Sequence, residues 1–214
     1  MRVFLGVTGA SGAPYAARLL HALTEAGCEV GLAASASGVE VLATELYGDA
    51  SLPRDEVLRR LVGDAGKRVT VYGINDYKSP YASGSAKVDA YVICPCSMST
   101  VGTLAAGAMA NLIHRAASVA LKERRKLVLV PRETPLSSIH LRGLATLNEA
   151  GAVILFAAPG FYHGVSKVQD LVDFVVARCL DQLGVGNDLV RRWGEGASAL
   201  RAEAPERPPG EVAS

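Results

Sequence analysis

The chain has 214 residues, of which 50% are hydrophobic, with 22 basic and 21 acidic side chains and a formal net charge of +1. A charge this close to zero gives no support for nucleic acid or a charged membrane surface as a partner. The apolar segments are too short to span a bilayer, and Gly, Pro and charged residues interrupt them. The first seven residues run into a glycine loop without a cleavage-site pattern, so we interpret them as a strand and expect a cytoplasmic protein.

Apolar runs alternate with amphipathic segments along the chain, which predicts an α/β fold with a parallel sheet covered by helices on both faces. In chain order, the predicted strands cover residues 3–7, 30–34, 69–72, 91–94, 127–130 and 153–156. The predicted helices cover residues 13–26, 37–46, 54–62, 101–106, 112–124, 139–150 and 167–183. We expect one domain over residues 1–193 and a disordered tail over residues 194–214, where Ala, Glu, Pro, Arg and Gly dominate.

A glycine-rich segment leaves the first strand and enters the first helix: Gly6-Val7-Thr8-Gly9-Ala10-Ser11-Gly12. Such glycines permit a tight turn, so that the amides at the start of the helix can face an anionic ligand. The spacing is G-x-x-G-x-x-G, which differs from the usual dinucleotide fingerprint. The second strand ends in Ala33-Ala34-Ser35 without the acidic residue that holds an adenosine ribose, and the Tyr-x-x-x-Lys pair of short-chain dehydrogenases is missing. These features favour a mononucleotide such as FMN over NAD.

Polar residues also follow the fourth and fifth predicted strands, in Cys94-Pro95-Cys96-Ser97-Met98-Ser99-Thr100 and in Pro131-Arg132-Glu133-Thr134-Pro135. Because ligands bind at the carboxyl ends of parallel strands, these hydroxyls, the guanidinium and the carboxylate suit a phosphorylated ligand. Cys94 and Cys96 are expected to point the same way on extended backbone, but no second Cys or His pair completes a zinc site. We therefore interpret all four cysteines as reduced, buried thiols.

Six ordered motifs together carry a resemblance to one family. They are Thr8-Gly9-Ala10-Ser11-Gly12, Cys94-Pro95-Cys96-Ser97, Asn111-Leu112-Ile113-His114-Arg115-Ala116, Leu121-Lys122-Glu123-Arg124-Arg125, Val130-Pro131-Arg132-Glu133-Thr134-Pro135 and Pro159-Gly160-Phe161-Tyr162. With them the chain resembles the flavin prenyltransferases of the UbiX/Pad type, from its first residue to about Trp193. The resemblance implies a Rossmann-like, flavoprotein-type subunit with a doubly wound parallel sheet. It also implies a homo-oligomer, typically a dodecamer, with active sites at subunit boundaries.

The activity implied by this resemblance is the transfer of a dimethylallyl group from dimethylallyl monophosphate to reduced FMN. The bonds form at flavin N5 and C6, and the product, prenylated FMN, serves as cofactor for a partner decarboxylase of the UbiD type. No metal takes part in the prenyl transfer. Whether the donor is the monophosphate or the pyrophosphate is left open by the sequence.

The resemblance assigns the functional residues of the family to matching positions of this sequence, where they form three groups. The flavin contacts fall on Gly9, Ala10, Ser11, Ser35, Ser97, Met98, Ser99, Thr100 and Arg132. The donor contacts fall on Tyr162, Arg178, Arg115, Lys122 and Trp193. The residues expected to act in catalysis are Ser11, Glu45, Lys122 and Glu133. Met98-Ser99 departs from the family pattern, in which smaller residues are expected after the Cys-Pro-Cys-Ser run.

The proposed chemistry gives physical reasons for these residue types. Breaking the allylic carbon–oxygen bond without magnesium requires cationic side chains that hold the leaving phosphate. Arg115 and Lys122 project from one face of a helix, a pattern that alone is typical of a solvated face. The small apolar residues between them indicate a packed helix, where free charge is costly. Glu133 is a candidate for the proton relay, or it orients Arg132 or caps the following helix.

Two other functions are compatible with an FMN-binding fold. One is a flavin-dependent decarboxylase of the peptidyl-cysteine type, which carries a Pro-Ala-Ser-Ala-Asn-like segment where this chain has Cys94-Pro95-Cys96-Ser97 and an early catalytic histidine. His21 lies too far past the glycine loop to serve as that histidine. The other is a non-catalytic FMN carrier, which has no need of the cationic cluster of Arg115, Lys122 and Arg178.

Overall fold

The computed structural model describes residues 1–192, so Trp193 and the predicted disordered tail over 194–214 lie outside the described residues. Six parallel strands form one sheet in the order β3-β2-β1-β4-β5-β6. The strands are β1 (Arg2–Val7), β2 (Glu29–Ala34), β3 (Val69–Val71), β4 (Ala90–Cys96), β5 (Lys126–Pro131) and β6 (Val153–Ile154). This is the doubly wound order, in which the direction of winding reverses between β1 and β4.

Seven α-helices connect or follow the strands of the described chain. They are α1 (Ala13–Glu25), α2 (Ala36–Tyr47), α3 (Arg54–Val62), α4 (Met98–Ala105), α5 (Leu112–Lys122), α6 (Ser138–Glu149) and α7 (Val168–Leu183). The predicted elements are confirmed with small shifts at their ends, and the largest shift among the helix starts is in α4. This helix begins at Met98 because the Ser97 side chain accepts a hydrogen bond from the Thr100 amide and so caps the helix. None of the helices within residues 1–192 combines the length and the hydropathy needed to cross a bilayer.

The sheet separates two hydrophobic cores. Buried residues of α1, α2, α3 and α7 pack on one face, and buried residues of α4, α5 and α6 pack on the other. The four inner strands β1, β2, β4 and β5 are almost fully buried, as expected for a parallel sheet covered on both sides, whereas the edge strands β3 and β6 are partly exposed. Helices α5 and α7 therefore lie on opposite faces of the sheet, a fact that decides where their cationic side chains can act.

All four cysteines are free and buried, as predicted. The expectation that Cys94 and Cys96 point the same way is wrong. Cys94 packs in the core beneath α1 and α7, whereas Cys96 packs in the core beneath α4 and α5. The pairing register between β4 and β5 shifts between Ile93 and Cys96, and this irregularity breaks the simple alternation of side chains along the strand.

Candidate active site

One buried hydroxyl joins the ends of β1 and β4. Thr8 follows β1 and is 3% exposed. Its Oγ1 donates to the Pro95 carbonyl at 2.9 Å and accepts from the Ser97 amide at 2.8 Å. The Thr8 amide also donates to the Pro95 carbonyl, at 3.1 Å. The loops after β1 and β4 are thus held side by side at the reversal point of the sheet, where ligands of open α/β folds bind.

Four predicted flavin contacts follow β4, at the N-cap and in the first turn of α4, and they differ in exposure. Ser97 is half-buried, and its Oγ lies 3.1 Å from Thr100 Oγ1. Thr100 is buried, whereas Ser99 is exposed. Met98 is 8% exposed and packs in the core, so only its backbone is available to a ligand at this position. The first turn of α4 presents amides and hydroxyls of the kind that bind an anionic group.

Two further predicted flavin contacts, Gly9 and Ser35, follow the paired strands β1 and β2. Ser35 caps α2 by accepting a hydrogen bond from the Gly38 amide at 3.0 Å. A Cβ atom built on Gly9 would lie 2.6 Å from the Cβ of Ser37 in the same helix, so glycine is required for this close approach. Ala10 is buried, and its amide donates to the Thr8 carbonyl at 2.9 Å. The glycine loop, α2 and the loop after β4 therefore form one continuous surface at the carboxyl edge of the sheet.

The start of α1 does not present its first amides to a ligand as expected from the glycine loop. Glu45 Oε2 accepts hydrogen bonds from the Gly12 amide at 2.9 Å and from the Ala13 amide at 2.7 Å. A carboxylate of the chain itself thus occupies the position that the sequence suggested for an external anion. This finding also gives Glu45, on the exposed side of α2, a defined place in the site.

Glu45 belongs to a cluster with Ser11 and Arg132. Burial raises the pKa of the Glu45 carboxyl, but hydrogen bonds from the Ser11 side chain and from the amides of Gly12 and Ala13, with the charge of Arg132, lower it by more. The pKa of Glu45 is therefore below its ordinary value, and the side chain is ionised at neutral pH. Two of the predicted catalytic residues, Ser11 and Glu45, are in direct contact.

Arg132 and Glu133 follow β5 at the same edge of the sheet. Arg132 Nε donates to the Ser11 carbonyl at 3.2 Å, which joins the loop after β5 to the glycine loop. Glu133 Oε1 accepts from the Thr134 amide at 3.2 Å. The interpretation of Glu133 as the cap of the following helix is wrong, because Ser137 caps α6. Glu133 is half-buried beside Arg132.

The two predicted donor contacts on α5 flank one backbone segment, residues 82–84. Arg115 Nε donates to the Ala82 carbonyl at 2.9 Å, and a Cβ atom on Gly84 would lie 2.8 Å from Lys122 Nζ. Lys122 pairs with Glu123 and is exposed. Because Lys122 is the last residue of α5, it lies about 15 Å along the helix from the start of α5 and towards the amino edge of the sheet. The prediction that Arg115 and Lys122 share one side of the helix is confirmed.

The other two predicted donor contacts within residues 1–192 meet on the opposite face of the sheet. Tyr162 and Arg178 both line a cavity of about 300 Å³ beside α7. The Tyr162 ring packs edge-on against Phe174, with their centroids 5.7 Å apart. Arg178 Nη1 donates to Asp181 Oδ2 at 2.8 Å, and Arg192 Nη2 donates to Asp181 Oδ1 at 3.1 Å. One carboxylate therefore holds two guanidinium groups at the wall of this cavity.

Sequence reasoning missed two residues that organise the site. Thr8 belongs to the motif Thr8-Gly9-Ala10-Ser11-Gly12, but the residues around it do not predict that its hydroxyl bonds to the Pro95 carbonyl, 87 positions away at the end of β4. Asp181 lies three positions after Arg178 on α7, a spacing at which opposite charges meet on a helix. That spacing was the available signal for Asp181.

Comparison with known proteins supplies the family. The model of the family described as Flavoprotein matches residues 1–180. A flavin prenyltransferase, UbiX, from Pseudomonas aeruginosa is 52% identical over 199 residues, which cover 91% of this chain and 94% of that protein. A flavin prenyltransferase, UbiX, from Methanocaldococcus jannaschii is 43% identical over 194 residues, which cover 91% and 99% of the two chains.

Two solved structures share the architecture. AnUbiX, crystallised in complex with FMN and dimethylallyl pyrophosphate, superposes with a TM-score of 0.79 at 38% identity, and the match covers 90% of this chain and 96% of AnUbiX. A dodecameric protein from Escherichia coli, described as an FMN-dependent UbiX-like decarboxylase, superposes with a TM-score of 0.80 at 38% identity and covers 90% and 99% of the two chains. With this identity over nearly its whole described length, the chain belongs to the flavoprotein family and, within it, to the UbiX flavin prenyltransferases.

Proposed function

We propose that this protein transfers a dimethylallyl group from dimethylallyl monophosphate to N5 and C6 of reduced FMN. In the first step the allylic carbon–oxygen bond breaks and its electron pair leaves with the phosphate, while N5 bonds to the allyl carbon and releases the proton that it carried. In the second step the alkene gains a proton, C6 attacks the resulting tertiary cation, and the proton on C6 leaves. The reaction thus needs groups that bind the departing phosphate, an acid that protonates the alkene and a base that accepts the C6 proton.

The observation that carries the proposal is the joining of three strand ends into one polar edge. Thr8 links the loops after β1 and β4, and Arg132 links the loop after β5 to Ser11. AnUbiX, with the same fold at 38% identity, was crystallised with FMN and dimethylallyl pyrophosphate. The hydroxyls, amides and guanidinium of this edge can bind the phosphate and the flavin ring of FMN. The acidic residue that would bind the adenosine ribose of NAD is missing at the end of β2, where the chain has Ala33-Ala34-Ser35.

Proton transfer is assigned to the cluster around Ser11. The hydroxyl of Ser11 contacts the ionised Glu45 carboxylate, so the pair can pass a proton between a bound flavin and solvent. Glu133 lies beside Arg132 at the same edge, where a carboxylate can accept the ring proton directly or through the released phosphate. Ser11 and Glu45 thus act together as one proton relay, and Glu133 acts as a second proton acceptor.

The donor site is assigned to a boundary between subunits. Arg115 and Lys122 lie on the face covered by α5, whereas Tyr162 and Arg178 lie on the face covered by α7. A rigid sheet stands between the two pairs, so one chain cannot bring all four side chains to one phosphate. The related Escherichia coli protein is dodecameric, which supports assembly of the site from residues of different copies in a homo-oligomer of this size.

The direct test is anaerobic incubation of the purified protein with reduced FMN and dimethylallyl monophosphate, followed by mass spectrometry of the released flavin. We expect flavin heavier by one dimethylallyl unit, and a parallel reaction with the pyrophosphate identifies the preferred donor. Unmodified flavin with both donors would contradict the proposal. Bound FMN together with carbon dioxide release from a peptidyl-cysteine substrate would favour a decarboxylase, and bound FMN without either reaction would favour a carrier.

The shared site is tested by mixing two inactive variants. Arg115→Ala and Arg178→Ala are each expected to lose most of the activity as pure oligomers. When the two proteins are dissociated, mixed and reassembled, some sites receive both native arginines if each site draws on two subunits. Recovery of activity above that of either variant is the expected result, and mixed oligomers that stay as inactive as their parents would contradict a boundary site.

The fate of the product is also part of the proposal. Prenylated FMN is expected to activate a decarboxylase of the UbiD type in the cytoplasm. Addition of this protein's reaction mixture to such an apo-decarboxylase should start decarboxylation, whereas a mixture made without the dimethylallyl donor should leave it inactive.

A further inference from the structure

Thr8, which is not among the predicted flavin contacts, has a structural role at the carboxyl edge of the sheet. Its side chain is 3% exposed and lies between two loops that belong to strands far apart in sequence. We propose that Thr8 is a positioning residue: its hydroxyl fixes the glycine loop against the first turn of α4, so that FMN meets a preformed site. The inference rests on the proposed function, because it takes these two loops as the flavin site.

The argument begins with the two bonds of the hydroxyl. Oγ1 donates its proton to the Pro95 carbonyl at 2.9 Å, and its lone pair accepts the Ser97 amide at 2.8 Å. Its only donor and one of its two lone pairs are therefore used within the protein, and because Thr8 is 3% exposed, the hydroxyl is not accessible to a ligand. Thr8 acts through Ser97 and does not itself contact the flavin.

Ser97, whose amide is held by Thr8, is also bonded to α4. Its side chain accepts the Thr100 amide at 3.3 Å, so the same residue that Thr8 holds also caps the helix. The amide of Ser97 and the hydroxyls of Ser97 and Thr100 thus have fixed positions relative to the glycine loop. A site that is already ordered loses less entropy when its ligand binds, which raises affinity.

Replacement of Thr8 by valine tests the hydroxyl alone, because it removes this group and little else. Thr8→Val keeps the shape of the side chain and the backbone bond from the Thr8 amide to the Pro95 carbonyl at 3.1 Å. The Ser97 amide, however, loses its acceptor. Strands β1 and β4 keep their register in this variant, because their backbone hydrogen bonds are unchanged. The start of α4, however, loses its hydrogen bond to the glycine loop. The expected defect is therefore weaker flavin binding in a folded protein.

The test compares Thr8→Val, Thr8→Ser and a matched buried threonine, Thr24→Val. The Thr24 hydroxyl donates within its own helix, to the His21 carbonyl at 2.9 Å, and lies outside the proposed site. We expect Thr8→Val to bind FMN roughly tenfold more weakly, with Thr8→Ser and Thr24→Val close to wild type. At saturating FMN, the KM for dimethylallyl monophosphate and kcat should change little, because Thr8 orders the flavin site and touches neither reacting molecule.

Fluorescence titration of FMN, with thermal unfolding measured in parallel, decides between the outcomes. Equal FMN affinity of Thr8→Val and wild type would overturn the inference, as would a loss in Thr8→Ser equal to that in Thr8→Val. If Thr8→Val does not fold, Thr8→Ser and Thr8→Ala are compared, and serine must bind FMN more tightly than alanine. Wild-type protein that binds no FMN would contradict the proposed function itself, which separates the two failures.

Discussion

The two halves of the candidate site are built in different ways. The flavin half joins the ends of β1, β2, β4 and β5 through hydrogen bonds among the segments that follow them, and every described member lies at one edge of the sheet. The donor half consists of Arg115 and Lys122 on α5 and of Tyr162 and Arg178 at the cavity beside α7, and the sheet separates the two pairs. Adjacent parallel strands bring their ends together within one chain, whereas residues on opposite faces can meet only across a boundary between copies. The flavin half should therefore tolerate loss of the donor half.

The sharpest test of this independence is Arg178→Ala. Loss of a guanidinium that holds the departing phosphate should lower kcat/KM roughly a hundredfold. FMN affinity should stay at the wild-type value, because Arg178 is placed in the donor half. Steady-state kinetics and FMN titration measure the two quantities. Arg142→Ala, an exposed arginine on α6, serves as the matched control and should be neutral. Equal loss of both quantities in Arg178→Ala would mean that the halves are not independent.

The converse change, Gly9→Ala, should damage the flavin half. The new Cβ would lie 2.6 Å from the Cβ of Ser37, so the loop must move away from α2 at a cost of about 1–3 kcal/mol. We expect FMN binding to weaken by at least about tenfold, as measured by titration. Gly102→Ala on α4 is the control, since a Cβ there meets no atom within 4 Å. Gly9→Ala with normal FMN affinity would show that the loop does not approach the flavin.

Glu45 links the flavin half to stability and pH. Its pKa is lowered in the folded state, so its contribution is present above the ordinary value of 4.5 and is lost as the pH falls through the folded pKa. Glu45→Gln should lower the free energy of unfolding by about 1 kcal/mol at neutral pH, as for loss of a helix cap. The difference from wild type should shrink below pH 4.5. Denaturant unfolding at several pH values measures it, and a difference independent of pH would contradict this assignment.

The smallest effect is expected for Asp181→Asn. The carboxylate holds Arg178 and Arg192 at the cavity wall, but these ion pairs are partly exposed and contribute at most about 1 kcal/mol. The KM for the donor should rise by at most about fivefold, with kcat and FMN affinity unchanged. A fall in kcat comparable to that of Arg178→Ala would assign Asp181 a direct part in the reaction.

Much of the flavin half was predictable because it follows strand ends. Apolar runs and the polar residues after them located the loops at the carboxyl edge, and the resemblance then named Gly9, Ser35, Ser97 and Arg132. The resemblance placed Glu45 among the residues expected to act in catalysis, but its contact with the start of α1 was not predictable, because a glutamate late in a helix is usually solvated. Only the packing of α2 beside α1 brought its carboxylate to the Gly12 and Ala13 amides.

The sequence by itself determined the class of the fold, the order of its elements and the family, since periodicity and motifs are local properties of the chain. Tertiary structure alone decided which side chains meet. The register shift in β4 sent Cys94 and Cys96 into different cores, and the sheet set Arg115 and Arg178 on opposite faces. The bridge from Thr8 to Ser97 likewise joins residues 89 positions apart, because contacts of this kind depend on how strands are ordered in space.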